Sequence, residues 1–172
     1  MAIFRGKNKR SAALGVVVVA AGNASRMNGT DKQLLELGGL PVIVRSVAPF
    51  QQHPAVKEIV LVCRQEAVGK MLELVQYFEL SKVSKIISGG STRQQSVFRG
   101  VEQLGEDISY IAVHDGARPF LDLQIIERCL TDVQQYQAVT AAVKAKDTIK
   151  QAGEGGIIQQ TLDRERLYNT QT

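Results

Sequence analysis

Short apolar runs alternate along this chain with longer stretches of helical periodicity. Leu14–Ala20 is an unbroken, largely β-branched apolar run that ends just before Gly22, the pattern of a strand buried on both faces of a parallel sheet. Residues 58–63, 85–88, 110–114 and 138–143 repeat the theme as shorter strands, and a helical pattern precedes each of them. The periodicity predicts helices over residues 66–78, 92–104 and 123–135, and a further one over 42–50 that Pro49 disturbs. Alternation of this kind predicts an α/β fold with a doubly wound, mostly parallel sheet.

Beyond Val143 the texture changes. Residues 147–160 are polar, with small apolar clusters at Ile149 and Ile157 separated by Gly153, Gly155 and Gly156. This pattern fits an extended β-hairpin arm, and equally a surface loop; the residues themselves do not choose. The chain carries no internal repeat and no low-complexity tract.

Composition narrows the picture. A length of 172 residues, 44% hydrophobic and 22% charged, predicts one soluble globular unit, and no apolar run is long enough to cross a bilayer. Residues 1–13 hold Arg5, Lys7, Lys9 and Arg10 without an acid, so they account for the whole formal charge of +4 and leave a nearly neutral body. Four cations without interleaved aromatics predict a solvated, disordered lead-in rather than a nucleic-acid or membrane contact, with the folded domain spanning 14–172. The segment lacks the apolar centre of a secretory signal, and Cys63 and Cys129 have no partner at metal or redox spacing. A cytoplasmic protein with reduced core thiols is expected.

In open α/β sheets, ligands gather at the carboxyl ends of the strands, where loops and helix amino termini present unpaired amides. The first such end runs Ala20-Ala21-Gly22-Asn23-Ala24-Ser25-Arg26-Met27 and on to Lys32: small residues that admit a phosphate chain, then two cations. It matches neither the dinucleotide fingerprint nor the P-loop. Another end reads Ser88-Gly89-Gly90-Ser91-Thr92-Arg93-Gln94-Gln95-Ser96, where Gly90 permits close approach and Ser91 is expected to cap the next helix. It lacks the last glycine of a nucleophile elbow, which disfavours a serine hydrolase. A third reads His114-Asp115-Gly116-Ala117-Arg118-Pro119, an acid and a cation suited to a metal-bound phosphate and a polar substrate. His53 and His114 are not spaced as zinc ligands.

Together with Asp147-Thr148 and Asp163-Arg164, these segments resemble the 2-C-methyl-D-erythritol 4-phosphate cytidylyltransferase family of non-mevalonate isoprenoid synthesis, in order and at family-like spacing from Gly15 to Thr172. The resemblance implies a nucleotidyltransferase fold with an extended β-arm and a magnesium-dependent transfer of the cytidylyl group from CTP to the sugar phosphate, releasing pyrophosphate. It implies that Arg26 and Lys32 stabilise charge on the phosphates, and that Ala20, Ala21, Gly22, Gly90, Ser91, Ser96 and Gly116 hold the nucleotide. Asp115 and Arg118 would face the sugar phosphate, with Asp115 a possible magnesium ligand unless the metal is held through the CTP phosphates. Arg164 would position the attacking phosphate, a task suited to a planar two-pronged donor. Thr148, Arg164 and Thr172 would complete the substrate site, the first two serving the other subunit of a homodimer joined through the arm.

Three departures from the family pattern stand out. Asp31 takes the place usually held by proline before the lysine, and Gly116 that of a common alanine, a change expected to cost little. The sequence also stops at Thr172, inside a substrate-threonine segment, where the family continues through a second threonine and another catalytic lysine; either the sequence is partial or the chain lacks part of the machinery. The rival readings are a ribitol-5-phosphate cytidylyltransferase, which shares the nucleotide loop, and a nucleotide-binding module without catalysis.

Overall fold

The computed structural model describes residues 1–5, 13–22 and 31–170. In chain order its elements are β1 (Ala2–Arg5), β2 (Leu14–Ala20), β3 (Glu36–Leu37), β4 (Leu40–Pro41), α1 (Val42–Gln52), β5 (Val56–Cys63), α2 (Val68–Tyr77), β6 (Val83–Ser88), α3 (Arg93–Glu102), β7 (Tyr110–Asp115), α4 (Leu123–Tyr136), β8 (Ala138–Thr140), β9 (Ala142–Lys144), β10 (Lys150–Ala152), β11 (Ile158–Thr161) and β12 (Tyr168–Thr170). The main sheet has the order β6-β5-β2-β7-β1-β8. Its first four strands are parallel, and β1 runs antiparallel to both of its neighbours.

The alternation of side chains along β2 explains why helices cover both faces. Leu14, Val16, Val18 and Ala20 join Ile43, Val47 and Phe50 of α1, Met71 of α2, and Ile126 and Val133 of α4 in the larger core. Val17 points the other way, to Val60, Val62, Val101 and Leu104, beneath α3. Gly100 lets α3 settle close: a Cβ there would stand 2.4 Å from Val17 Cγ1 and 2.9 Å from Val62 Cγ2. Pro49 does not end α1. His53 N still donates to Pro49 O, so the helix runs three residues past the proline and gives up only the bond that a proline nitrogen cannot donate.

Two expectations are corrected. Residues 1–5 are not a disordered lead-in: β1 fills the slot between β7 and β8, with Ala2 opposite both Val113 and Thr140, and Met1 and Ile3 lie buried in the larger core. Residues 138–143 are not one strand. Ala141 N donates to Met1 O at the edge of the sheet, and the chain then leaves it as β9, which pairs with β12 instead.

The segment after Val143 forms a hairpin. β10 and β11 pair antiparallel, with Gly155 and Gly156 both at φ 76° in the connecting turn, a left-handed conformation that glycine adopts without steric cost. Val143, Ile157, Ile158 and Tyr168 are exposed on these ribbons.

Candidate active site

The carboxyl ends of β2, β6 and β7 open into one cleft of about 1000 Å³, lined among others by Ala21, Gly22, Lys32, Gly90, Ser96 and Asp115. Three loops far apart in sequence therefore share a wall, as the strand order requires.

Close contact between the first two loops depends on Gly89, since a Cβ there would lie 2.4 Å from Ala21 Cβ and 2.7 Å from Ser96 Oγ. Ser96 is buried and braces the same loop: its hydroxyl donates to Thr92 O at 2.9 Å and accepts from Gly90 N at 3.0 Å. The helix cap is Thr92 rather than Ser91, with Thr92 Oγ1 accepting from Gln95 N at 3.1 Å. Gln95 reaches back in turn, its Oε1 accepting from Ser91 N and Ser91 Oγ, a variant of the reciprocal capping box. Ser91 is thereby held at the cleft wall, one residue outside the cap position.

At the third loop, Asp115 accepts from Arg93 at 2.8 Å through one carboxylate oxygen and from Arg118 Nε at 2.9 Å through the other. Burial opposes the charge, but the two guanidinium groups outweigh it and hold the carboxyl below its ordinary value. Both carboxylate oxygens are thus engaged by guanidinium groups. Asp115, the residue expected to face the sugar phosphate and to be available to magnesium, stands here as the partner of two arginines.

Burial pushes the His114 imidazole down to about 4, so the ring is neutral near pH 7. Its Nε2 donates to Arg118 O at 3.1 Å, leaving Nδ1 as a buried acceptor without a partner among the described residues. His114 thus pins the backbone that carries Arg118. Gly116 lies under the cleft instead of on its wall: its N donates to Val19 O, and a Cβ would meet Ile43 Cδ1 at 2.8 Å and Ala20 Cβ at 3.0 Å. The one atom nearer than 3.0 Å to such a Cβ is the tip of the Ile43 side chain, which a small rotation would move aside. Ala20 is itself buried below the cleft.

Arg26 and Thr172 lie outside the described residues. Thr148 and Arg164 are exposed in the arm and away from the cleft lining, with Arg164 Nη1 donating to Lys146 O at 3.3 Å. Sequence reading missed Gln33, Thr92 and Ala117 as lining residues, and it missed Arg64, which stands at the end of β5 beside the cleft. A lone arginine after an apolar strand gives no signal until β5 is known to adjoin β2.

Comparison with known proteins agrees with this geometry. Residues 14–172 match the model of the family described as IspD, 2-C-methyl-D-erythritol 4-phosphate cytidylyltransferase. The chain is 41% identical to the protein of that name from Dehalococcoides mccartyi, over 92% of this chain and 70% of the relative. It is 42% identical to a bifunctional IspD/IspF enzyme from Desulfotalea psychrophila, over 91% of this chain but 40% of that protein. Among solved structures, the 4-diphosphocytidyl-2C-methyl-D-erythritol synthase of Anaerococcus prevotii superposes with a TM-score of 0.80 at 25% identity, covering 93% of this chain and 67% of that one.

Proposed function

The chain belongs to the 2-C-methyl-D-erythritol 4-phosphate cytidylyltransferase family, and from that premise we propose that it transfers the cytidylyl group of CTP to the phosphate of methylerythritol phosphate. The observation that carries this reading is the single cleft joining Lys32, the Gly89-Gly90 loop with Ser96, and the Asp115-Arg118 pair. A phosphate oxygen of the sugar attacks the α-phosphorus of CTP, the new P–O bond forms as the bond to the bridging oxygen breaks, and pyrophosphate leaves. The attacking monoester has a second pKa of roughly 6 and is largely ionised near neutrality, so no strong general base is needed. Positioning and charge stabilisation supply the rate, which is the work of cations set in a partly enclosed site.

Lys32 stabilises charge on the α-phosphate and the leaving group, with Arg26 assigned the same task by family pattern. Arg118 and Asp115 hold the sugar phosphate. Magnesium belongs with the substrate as the CTP complex, in keeping with the arginine-bound state of Asp115. The apolar side chains exposed on the ribbons of the arm support a homodimer joined through it, in which Thr148 and Arg164 would serve the neighbouring cleft. No helix among the described residues is long and apolar enough to cross a membrane. The buried free thiols Cys63 and Cys129 support a cytoplasmic location.

Pyrophosphate release tests the reading, with Mg-CTP and either methylerythritol phosphate or ribitol 5-phosphate. Release with the first alone is expected. Release with ribitol phosphate alone would reassign the substrate, and CTP binding without release from either would make this chain a nucleotide-binding module.

A further inference from the structure

Asp31 sits next to Lys32, at the mouth of a cleft assigned to a triphosphate, and a free carboxylate there would work against the site. It would repel the phosphates and compete with them for the lysine. The fold gives this carboxylate other partners. Asp31 Oδ2 accepts from Arg64 Nη2 at 2.8 Å, and Asp31 Oδ1 accepts from Gln33 N at 3.3 Å. Asp31 O accepts from Leu34 N at 3.0 Å, so Lys32 occupies the first inner position of a turn closed by its neighbour. Arg64 is itself held in place, its Nη1 lying 3.1 Å from Glu66 Oε1. The Asp31 side chain is 11% exposed and that of Arg64 28%, so the pair is shielded far better than a surface ion pair. Hydrogen bonding to Asp31, the largest influence on it, raises the Arg64 pKa further. Among the described residues Lys32 has no ion-pair partner.

We propose that Arg64 is a positioning residue for the nucleotide site: it captures the Asp31 carboxylate, fixes the turn that carries Lys32, and keeps the lysine charge for the phosphates of the bound nucleoside triphosphate. The inference rests on the cleft being the CTP site. It assigns a function to a residue from β5, a strand whose end bears none of the family motifs.

The experiment is a double-mutant cycle on the full chain with Arg64→Gln, Asp31→Asn and the pair combined, measuring kcat and KM for Mg-CTP, the Kd of Mg-CTP by calorimetry, and the thermal midpoint. Arg64→Gln frees the carboxylate and is expected to lower kcat/KM for CTP about tenfold, with KM for the sugar phosphate unmoved. Adding Asp31→Asn removes the freed charge and should bring kcat/KM back to within about threefold of the starting enzyme, even where the thermal midpoint stays low. A purely structural pair predicts the reverse, a double variant no better than Arg64→Gln alone, and that result overturns the proposal. Unchanged CTP parameters in Arg64→Gln overturn it equally. An unsubstituted chain that neither binds CTP nor releases pyrophosphate removes the underlying reading itself, a failure distinct from a normal parent with unresponsive variants.

Discussion

The guanidinium of Arg93 lies 2.8 Å from the carboxylate of Asp115, tying the first turn of α3 to the end of β7 across 22 residues of sequence. With Arg118 on the other oxygen, the acid fixes two cations at one side of the cleft. Asp115→Asn keeps the shape but loses the charge that orders them. The expected outcome is a KM for methylerythritol phosphate raised by about tenfold or more, with KM for CTP changed much less. Steady-state kinetics with each substrate varied in turn will separate the two.

Lys32→Ala addresses charge stabilisation. Loss of a cation that acts mainly in the transition state should lower kcat by about 10²- to 10³-fold and weaken CTP binding only a few-fold. Calorimetric affinity beside turnover checks this; equal losses in both would make the lysine a ground-state contact.

Gly89 and Gly22 should respond differently to alanine. At Gly89 the new Cβ meets Ala21 and Ser96, whereas at Gly22 no atom of the described residues lies within 4 Å. Gly89→Ala is expected to cost about 1–3 kcal/mol of stability by overpacking. Gly22→Ala should leave the unfolding midpoint unchanged while adding a methyl group to the cleft wall, so CTP affinity falls without loss of fold. Urea titration together with nucleotide binding reads both.

Burial holds the His114 imidazole at about 4, against an unfolded value near 6.5. Because the folded pKa is depressed, the unfolded chain binds the extra proton first. His114 therefore subtracts nothing above about pH 6.5 and costs progressively more stability as pH falls towards 4, up to roughly 3 kcal/mol. Asp115, also depressed, adds its own loss as pH drops below the ordinary carboxylate range. His114→Asn should flatten the decline of thermal midpoint between pH 6.5 and 4; an unaltered slope would show that other groups set the acid limit.

Ile3 is fully buried between β7 and β8, paired with Ala112 on one side and Val139 on the other. Ile3→Ala should destabilise the protein by about 2–4 kcal/mol, measured by equilibrium unfolding. A disordered lead-in would tolerate the change without effect.

What was readable in the sequence follows from where the information lies. Leu14–Ala20 announced itself because burial on both faces forces a continuous apolar run. The loop residues Lys32, Gly90 and Asp115 were readable because small residues and charges at strand ends have few structural reasons to be there. Ala2–Arg5 was hidden: four residues flanked by cations carry no periodicity, and their strand conformation comes from two neighbours distant in sequence. Thr92 and Ser91 differ by one position, below what capping preference resolves. The pairing of Asp31 with Arg64 was invisible for the same reason as β1, since it exists only once β5 lies beside β2.

The placement of β1 also sets the order in which this domain can be assembled. Among the described residues β8 adjoins the sheet only through β1, and Thr140 Oγ1 donates to Met1 O across 139 positions. The pairing of residues 2–5 can be completed only once β7 and β8, more than a hundred residues further along the chain, are available. Long-range pairing of this kind slows folding as a rule, and until it forms the edge of β7 is open to pairing with a foreign strand.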